Sequence, residues 1–224
     1  MSVPKKVAVV LSGCGVFDGA EIHESTLTLL ALDMRGARAV IAAPDKPQRK
    51  VVNVATGQDE PDQARSCLVE AARIARGEIR PLSDVKAADV DALILPGGYG
   101  AALNLSDLAI AGPEFQPDPV VLALVREVWR AGKPVAALCI APPILAAALA
   151  AEGVKGAKLT IGNDPGVAGV IRGRGQEHVD CKADAFVADR SNRVVTCPAY
   201  MLAGGIAELW RGIDGAVGAL LDMA

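Results

Sequence analysis

The sequence has few aromatic residues and almost no histidine. Phenylalanine, tyrosine and tryptophan make up 3% of its 224 residues, although 51% are hydrophobic. The core must therefore be built from alanine, valine, leucine and isoleucine, whose small side chains let backbone segments approach closely. The two histidines, His23 and His178, and five widely spaced cysteines without a C-x-x-C motif give poor support to a zinc site. We therefore expect no metal centre.

Basic clusters and long apolar segments are also absent. The formal net charge is −3, and no run of lysine and arginine interleaved with aromatic residues occurs, which argues against nucleic-acid binding. No apolar stretch approaches the length that spans a bilayer. The apolar run at residues 7–11 is too short for a signal peptide. These features predict a cytoplasmic protein with reduced cysteines, which has neither a nucleic acid nor a membrane as partner.

The order of the predicted elements is typical of an α/β protein. A β-branched run at residues 7–11 is followed by a helical pattern that stops at Gly36, and "ARAVIAAP" supplies the second strand. This β-α-β start predicts parallel pairing. We expect residues 1–224 to form one α/β domain with a doubly wound, mostly parallel sheet. Further predicted elements are strands at Ala92–Leu95, at residues 134–139 and in "AKLTIG", a hairpin in "DKPQRKVVNVATGQ", and an amphipathic helix in "DEPDQARSCLVEAARIARGE".

Two glycine-rich loops follow predicted strands, where open parallel sheets bind their ligands. The first, "SGCGVFDG", resembles a dinucleotide-binding fingerprint but misses its third spacing by one residue, so a tight turn or close packing is the favoured interpretation. The second, "LPGGYG", leaves backbone N–H groups free to point into a cleft. We expect Gly98, or else Gly97, to donate one hydrogen bond of an oxyanion hole. A turn shaped only for packing is the alternative.

The stretch "KPVAALCIAPP" places Cys139 between a buried strand and a helix at Pro142–Ala151. Ala137 and Ala141 flank the cysteine as small neighbours, which a nucleophile elbow requires. Prolines suit the first helical turn, so the helix should begin within three residues of the sulfur, and its N-terminus favours the thiolate. The N–H of Ile140 would point toward an oxyanion beside the sulfur. We predict that Cys139 is a nucleophile, with an inert buried cysteine as the alternative.

The other four cysteines are weaker candidates. Cys197 in "VVTCPAY" also ends a strand before a proline and is the chief rival, but no good helix start follows it. Cys14 lies in the first glycine-rich loop and is either a turn residue or a resolving thiol. Cys67 is expected to fill the core, and nothing singles out Cys181.

With "LILPGGYG", "AALCIAPP" and "VVTCPAYMLA" together, the chain resembles the PfpI-like branch of the class I glutamine amidotransferase-like superfamily. Within that branch it is similar to the group linked to isoprenoid biosynthesis. Stretches such as "LSGCGVFDGAEIHE", "EAARIARGEIRPL" and "EHV" extend the resemblance over nearly the whole chain. The resemblance implies a flavodoxin-like three-layer sandwich, a reactive elbow cysteine, a homodimer, and glyoxalase-type activity on small dicarbonyls without a cofactor.

The resemblance also implies an acidic partner for the cysteine. Relatives place a glutamate from the loop after the first strand against the sulfur, and Glu24 in "EIHE" matches that position. Glu21 is the spare candidate. Such a carboxyl donates a hydrogen bond to the thiolate when it is protonated and serves as a base when it is ionised, and burial would raise its pKa. A capping or surface glutamate at a helix start is the alternative.

One departure from the family pattern concerns histidine. Many relatives carry one at the end of the strand after the elbow helix, where this chain has about Gly162, in "KLTIGND". Without a Cys-His pair, glutamine hydrolysis is not expected. His178 can replace the lost imidazole only if the fold brings it back to the cleft. His23 alternates with Glu24 and is expected to face elsewhere.

These residues predict an enzyme acting on glyoxal or methylglyoxal. Cys139 would attack the aldehyde carbon, Glu24 would shuttle a proton between the two carbons, and the N–H groups of Gly98 and Ile140 would stabilise the alkoxide. Hydrolysis would release glycolate or lactate. The alternatives are a regulatory or redox-sensing protein, whose cysteine is oxidised or carries a ligand without turnover, and an amidotransferase subunit.

Overall fold

The chain forms a central seven-stranded sheet with helices on both faces, in a computed structural model that describes residues 3–224. The strands are β1 (Lys6–Val10), β2 (Arg38–Ala43), β3 (Val52–Asn53), β4 (Gln58–Asp59), β5 (Arg80–Pro81), β6 (Ala92–Leu95), β7 (Val135–Leu138), β8 (Lys158–Leu159), β9 (Glu177–His178), β10 (Val187–Asp189) and β11 (Val194–Cys197). The helices are α1 (Ile22–Met34), α2 (Cys67–Ile74), α3 (Tyr99–Leu103), α4 (Leu108–Ala111), α5 (Pro119–Arg130), α6 (Pro142–Ala151), α7 (Pro165–Gly173) and α8 (Ile206–Met223).

The strands of the central sheet lie in the order β10-β11-β7-β6-β1-β2-β5. Every neighbouring pair is parallel except β10 with β11. This arrangement confirms the predicted α/β fold with a doubly wound, mostly parallel, flavodoxin-like sheet. The strand at Ala92–Leu95 and the helix at Pro142–Ala151 have the bounds that the sequence predicted.

Alternate strand residues face the two helical layers, as the side-chain period of a strand requires. In β1, Val7 and Val9 pack in one core with residues of α1 and α8, whereas Ala8 and Val10 pack in the other core with residues of α5 and α6. The molecule is therefore a three-layer sandwich with one apolar core on each side of the sheet. In residues 3–224, no helix combines the length and apolar character needed to cross a membrane.

Helix α6 is buried on nearly every side. Its sequence is PPILAAALAA, and its first eight residues are all buried. It lies between α5 and α7 and against β7. Because half of its residues are alanine, neighbouring elements can approach it closely. The helix that follows Cys139 is therefore fixed inside the core.

The predicted strand "AKLTIG" differs from the structure. Only Lys158–Leu159 is a strand, and it pairs with β9 in a separate two-stranded sheet. Side chains account for the early end of the strand, because they accept the backbone N–H groups that a longer strand would offer to a neighbour. The Thr160 N–H donates to Thr196 Oγ1 at 2.8 Å and the Ile161 N–H donates to His178 Nε2 at 3.3 Å.

Two other predictions concern the segment before α2. The small hairpin is confirmed, since β3 pairs with β4 in an antiparallel ladder. The predicted amphipathic helix is shorter than expected and spans only Cys67–Ile74. Its start is set by Ser66, whose hydroxyl caps the helix by accepting the Val69 N–H.

Candidate active site

Cys139 stands in a strained turn between β7 and α6. Its φ is +56°, a left-handed conformation that costs free energy for any residue except glycine. The Cys139 N–H donates to the Cys197 carbonyl of β11 at 2.9 Å, and the Ala141 N–H donates to the Leu138 carbonyl at 2.9 Å. The helix begins three residues later at Pro142. The turn is thus a nucleophile elbow, and it leaves 8% of Cys139 exposed.

Glu24 meets the cysteine from the first turn of α1. The side chain is fully buried. Its Oε2 atom accepts the Gly97 N–H at 2.8 Å and its Oε1 atom accepts the Tyr200 N–H at 3.1 Å. The carboxyl lies beside Cys139, since a Cβ atom on Gly97 would touch both side chains. Two separate segments therefore hold this carboxyl beside the elbow.

The glycine pair after β6 makes this contact possible. A Cβ atom on Gly97 would lie 2.3 Å from Cys139 Cβ and 2.6 Å from Glu24 Oε2. Any side chain at this position would therefore separate the acid from the sulfur. Gly98 has a φ of +93°, which L side chains rarely adopt.

Two backbone N–H groups act on the sulfur. The N–H groups of Gly98 and Ile140 both lower the pKa of the Cys139 thiol. The structure thus brings together Cys139, Glu24, Gly98 and Ile140, and their catalytic roles stay a prediction. Gly97 differs from the alternative role given to it, because its N–H is occupied by Glu24.

The electrostatics of Cys139 contradict one expectation. The helix start was expected to keep the sulfur ionised at neutral pH. Burial instead raises the pKa of the Cys139 thiol well above its ordinary value, and the neighbouring Glu24 charge raises it further. The N–H groups of Gly98 and Ile140 only oppose this rise. The resting group is therefore a thiol that needs a base.

Glu24 has the proton affinity of such a base. Burial raises the pKa of its carboxyl from 4.5 to about 7, and the nearby Glu21 charge adds to this effect. The N–H groups of Tyr200 and Gly97 oppose it by stabilising the carboxylate. Near neutral pH the carboxyl is consequently divided between its ionised and protonated forms, which suits a group that takes up and returns a proton.

Glu21 takes the capping role that was considered for Glu24. It is the N-cap of α1, and its Oε2 atom accepts the Glu24 N–H at 2.7 Å. Its side chain is 8% exposed. The two glutamates thus lie together at the start of one helix, and Glu24 is the one beside Cys139.

The first glycine-rich loop packs against the second. The Tyr99 N–H donates to the Val16 carbonyl at 2.8 Å and the Gly100 N–H donates to the Gly19 carbonyl at 3.0 Å. A Cβ atom on Gly19 would lie 2.3 Å from the Cys14 nitrogen. Close backbone approach therefore accounts for Gly19, and a turn with positive φ accounts for Gly13 and Gly15, as the favoured interpretation of "SGCGVFDG" predicts.

The rival cysteines have different surroundings. Cys197 is completely buried with its sulfur against Gly212 of α8, and burial raises its pKa to about 12. Cys14 is half-buried, and burial followed by the charge of Glu70 raises its pKa. The groups that shift the pKa of Cys14 are different from those that shift the pKa of Cys139. Cys67 is a buried core residue, as predicted.

Neither histidine contacts Cys139 or Glu24. His178 accepts the Ile161 N–H through Nε2, and burial lowers its pKa, with Arg172 adding to the effect. Gly162 packs against the side chain of Leu202, so the family histidine position is filled by an apolar contact. Among residues 3–224, no group of three or more histidine, cysteine, aspartate or glutamate side chains is arranged to hold a metal ion.

Sequence reasoning missed the role of Tyr200. Its backbone N–H holds Glu24 Oε1, and its hydroxyl lies 2.8 Å from His23 Nδ1 on the exposed face of α1. The turn that aims this N–H runs through Ala199, which has a φ of +48°. The signal was present in "VVTCPAY", because β11 ends beside β7 and the residues after both strands meet at one edge of the sheet.

Known proteins resemble this chain over its whole length. A human protein named glutamine amidotransferase-like class 1 domain-containing protein 3, mitochondrial, is 39% identical and covers 100% of this chain and 86% of its own length. A rat protein named ES1 protein homolog, mitochondrial, is 38% identical and covers 97% of this chain and 84% of its own length. The mitochondrial names do not fit a plain cytoplasmic expectation.

Solved structures agree with these relatives. A protein of Ehrlichia chaffeensis, described as an isoprenoid biosynthesis protein with amidotransferase-like domain, superposes with a TM-score of 0.90 at 35% identity and covers 98% of this chain and 99% of its own. Drosophila melanogaster DJ-1beta, at 21% identity and a TM-score of 0.56, covers 99% of this chain and 96% of its own and shares the fold. The model of the DJ-1/PfpI family matches residues 5–199. The chain therefore belongs to the DJ-1/PfpI family.

Proposed function

We propose that the protein is a cofactor-independent glyoxalase-type enzyme that converts glyoxal or methylglyoxal into a hydroxy acid. One observation carries the proposal: a buried carboxyl, whose pKa is raised to about 7, lies beside the thiol of a strained elbow cysteine. The backbone N–H groups of Gly98 and Ile140 act on the same sulfur. A nucleophile, a base and two alkoxide donors thus belong to one site.

The first step is addition of the sulfur to the aldehyde carbon. As the Cys139 S–C bond forms, Glu24 accepts the thiol proton and the carbonyl π electrons move to oxygen. The resulting alkoxide receives hydrogen bonds from the N–H groups of Gly98 and Ile140, of the kind that lowers acyl-transfer barriers by about 3–4 kcal/mol per donor. Protonation of the alkoxide gives a hemithioacetal and returns Glu24 to its ionised form.

The second step moves a proton between neighbouring carbons. Glu24 removes the hydrogen from the carbon bonded to sulfur and returns a proton to the adjacent carbon, so that an enediol becomes the thioester of a hydroxy acid. Water then cleaves the thioester to release glycolate from glyoxal or lactate from methylglyoxal, and restores the thiol. The sum is addition of one water to the dicarbonyl, so no external oxidant or reductant takes part.

The proposal includes a narrower placement within the family. The likeness to the Ehrlichia chaffeensis protein supports assignment to the group linked to isoprenoid biosynthesis, known as enhancing lycopene biosynthesis proteins. It also includes a homodimer, as the family resemblance implies. We propose a reducing compartment as well, because all five cysteines are free thiols.

Replacement of single cysteines tests the function. We expect Cys139→Ser to abolish the conversion of methylglyoxal to lactate, because a serine hydroxyl is a much weaker nucleophile. Cys197→Ser, which alters a sulfur packed against α8, should retain turnover in proportion to its folded fraction. Lactate formation by purified protein is the measurement, with circular dichroism as the check on folding. Equal loss in both variants, or loss in neither, would refute the assignment.

A regulatory or redox-sensing role is the second candidate. The low exposure of Cys139, 8%, favours it because a narrow opening admits a small oxidant more readily than a substrate that must turn over. If peroxide oxidises Cys139 in the purified wild-type protein and the same protein forms no lactate from methylglyoxal, the result would support this role over the enzymatic one.

A further inference from the structure

Glu21 connects the two parts of the site that would have to act together. Its backbone N–H donates to the Gly97 carbonyl at 3.0 Å, and its carboxylate accepts the Glu24 N–H at 2.7 Å. The residue is buried, and its own carbonyl accepts the Ser25 hydroxyl at 2.6 Å. One residue therefore touches the glycine turn with its backbone and the start of α1 with its side chain.

The backbone bond orients the peptide between Gly97 and Gly98. In a trans peptide the carbonyl and the N–H point in opposite directions, and the chain contains no cis peptide among the described residues. Because the Gly97 carbonyl faces Glu21, the Gly98 N–H faces away from it, toward Cys139 Sγ. A Cβ atom on Gly98 would lie 2.3 Å from the Glu21 nitrogen, so the two segments are in direct contact.

The carboxylate acts on Glu24 in two ways. It caps the first turn of α1 and so fixes the height at which the Glu24 side chain leaves the helix. It also places a negative charge beside Glu24, which favours the protonated form of that carboxyl. The titratable groups that face Glu24 are Cys139 on the elbow, Cys197 on β11, Tyr200 on the following turn, and Glu21 itself.

We propose that Glu21 is a positioning residue, which holds the Gly98 donor in line with the sulfur through its N–H and sets the place and charge state of Glu24 through its carboxylate. This inference rests on the proposed function for its catalytic meaning. Its physical content, the reactivity of Cys139 as a function of pH, is independent of any substrate.

Alkylation of Cys139 by iodoacetamide, followed by mass spectrometry of the peptide over pH 5 to 9, tests the proposal. Glu21→Gln keeps an oxygen to cap α1 but removes the charge. The low-pH part of the profile, where the alkylation rate rises with pH, should therefore move down by about half a pH unit, so that the rate at a given pH in this part is about threefold higher. Glu21→Ala also loses the cap, and the rate on the high-pH plateau should additionally fall about three- to tenfold.

Asp164→Asn is the matched control. Asp164 caps α7 by accepting the Val167 N–H at 2.8 Å, which is the same kind of contact in another part of the fold. We expect this variant to leave the alkylation profile unchanged. A Glu21→Gln profile that coincides with wild type, a Glu21→Ala plateau equal to wild type, or a shift in the Asp164→Asn profile would each overturn the proposal. If the profiles change as stated while no variant or wild type consumes methylglyoxal, the proposed function fails and the role of Glu21 stands.

Discussion

At the scale of single residues, the site depends on where one proton resides. Cys139 and Glu24 are both buried, and burial raises the pKa of each. The charge of Glu24 raises the pKa of Cys139 further, whereas the contact with Cys139 lowers the pKa of Glu24. The thiol binds its proton more tightly than the carboxyl does. Near pH 7 the pair is therefore a protonated thiol beside a partly ionised carboxyl. A substrate that reaches the sulfur therefore meets a nucleophile and its base already in contact.

The raised pKa of Glu24 has a consequence for stability. A carboxyl whose pKa is higher in the folded than in the unfolded chain binds its proton more tightly when folded, so its contribution is present below pH 4.5 and is lost as the pH rises to about 7. A shift from 4.5 to about 7 corresponds to about 3 kcal/mol at most.

We therefore expect the stability of wild type, relative to Glu24→Gln, to fall by up to about 3 kcal/mol between pH 4.5 and pH 8. Urea unfolding of both proteins across this range is the measurement. The fixed cost of placing an amide opposite the Gly97 and Tyr200 N–H groups is the same at each pH and cancels from the trend. A difference that stays constant with pH would show that Glu24 does not titrate in this range.

At the scale of elements, the elbow is a strained joint between two buried pieces. Strand β7 is wholly buried, and α6 is held between α5 and α7. The chain must reverse from one to the other within three residues, and Cys139 absorbs the change through its φ of +56°. The strain persists because the surrounding packing leaves the turn no alternative.

This strain predicts a difference between two variants that both lack the sulfur. Cys139→Gly should be more stable than Cys139→Ala by about 1 kcal/mol, because glycine adopts a positive φ without the Cβ penalty. Thermal and urea unfolding of the two proteins provide the comparison. Equal stabilities, or a more stable alanine variant, would mean that the turn relaxes in solution and that Cys139 is not strained.

Most elements of the central sheet could be predicted from sequence, and the small outer ones could not. The strand Ala92–Leu95 is a short apolar run bounded by turn residues, whereas the helix Pro142–Ala151 is a ten-residue apolar run that starts with two prolines and is rich in alanine. Strand β8 was predicted too long because Thr160 and Ile161 read as strand residues, while their N–H groups bond to the side chains of Thr196 and His178. Those partners lie 36 and 17 residues away, so no local pattern contains them.

The same distinction applies to the site. Cys139, Ile140 and Gly98 were identified because strand, turn and helix signals are local, and Glu24 because the family resemblance supplied it. The protonation state was not predicted correctly. A helix start argues for a thiolate, whereas burial and the charge of Glu24 both raise the pKa of the thiol, and only the three-dimensional arrangement shows that these two effects win. The Tyr200 contact was missed since it joins residues 176 positions apart.

At the scale of the whole molecule, several large apolar side chains remain on the surface around the site. Phe17, Ile22 and Tyr99 are each between 43% and 45% exposed. Phe17 lies in the first glycine-rich loop, and Ile22 and Tyr99 are the first residues of α1 and α3. Exposed apolar side chains grouped in this way are typical of interaction surfaces. This observation supports the homodimer that the family resemblance implies.

Light scattering after size exclusion tests the assembly. We expect a mass twice the 23.0 kDa of one chain at micromolar concentration, because burial of such apolar groups is the main favourable term in association. Dilution should lower the measured mass only at much smaller concentrations. A single-chain mass throughout the series would contradict the homodimer, whatever the activity of the preparation.

The enclosure of α6 bears on which motions can reach the elbow. Amide groups in a helix covered on nearly every side exchange their hydrogens with solvent only through openings close to global unfolding. The opposite wall of the site is different, because the segment from Tyr200 to Ala203 is only half-buried and leads to an exposed stretch at Gly204 and Gly205. A local opening that admits a molecule to Cys139 is therefore expected in the loops around the site, such as the one from Tyr200 to Ala203, and not in α6.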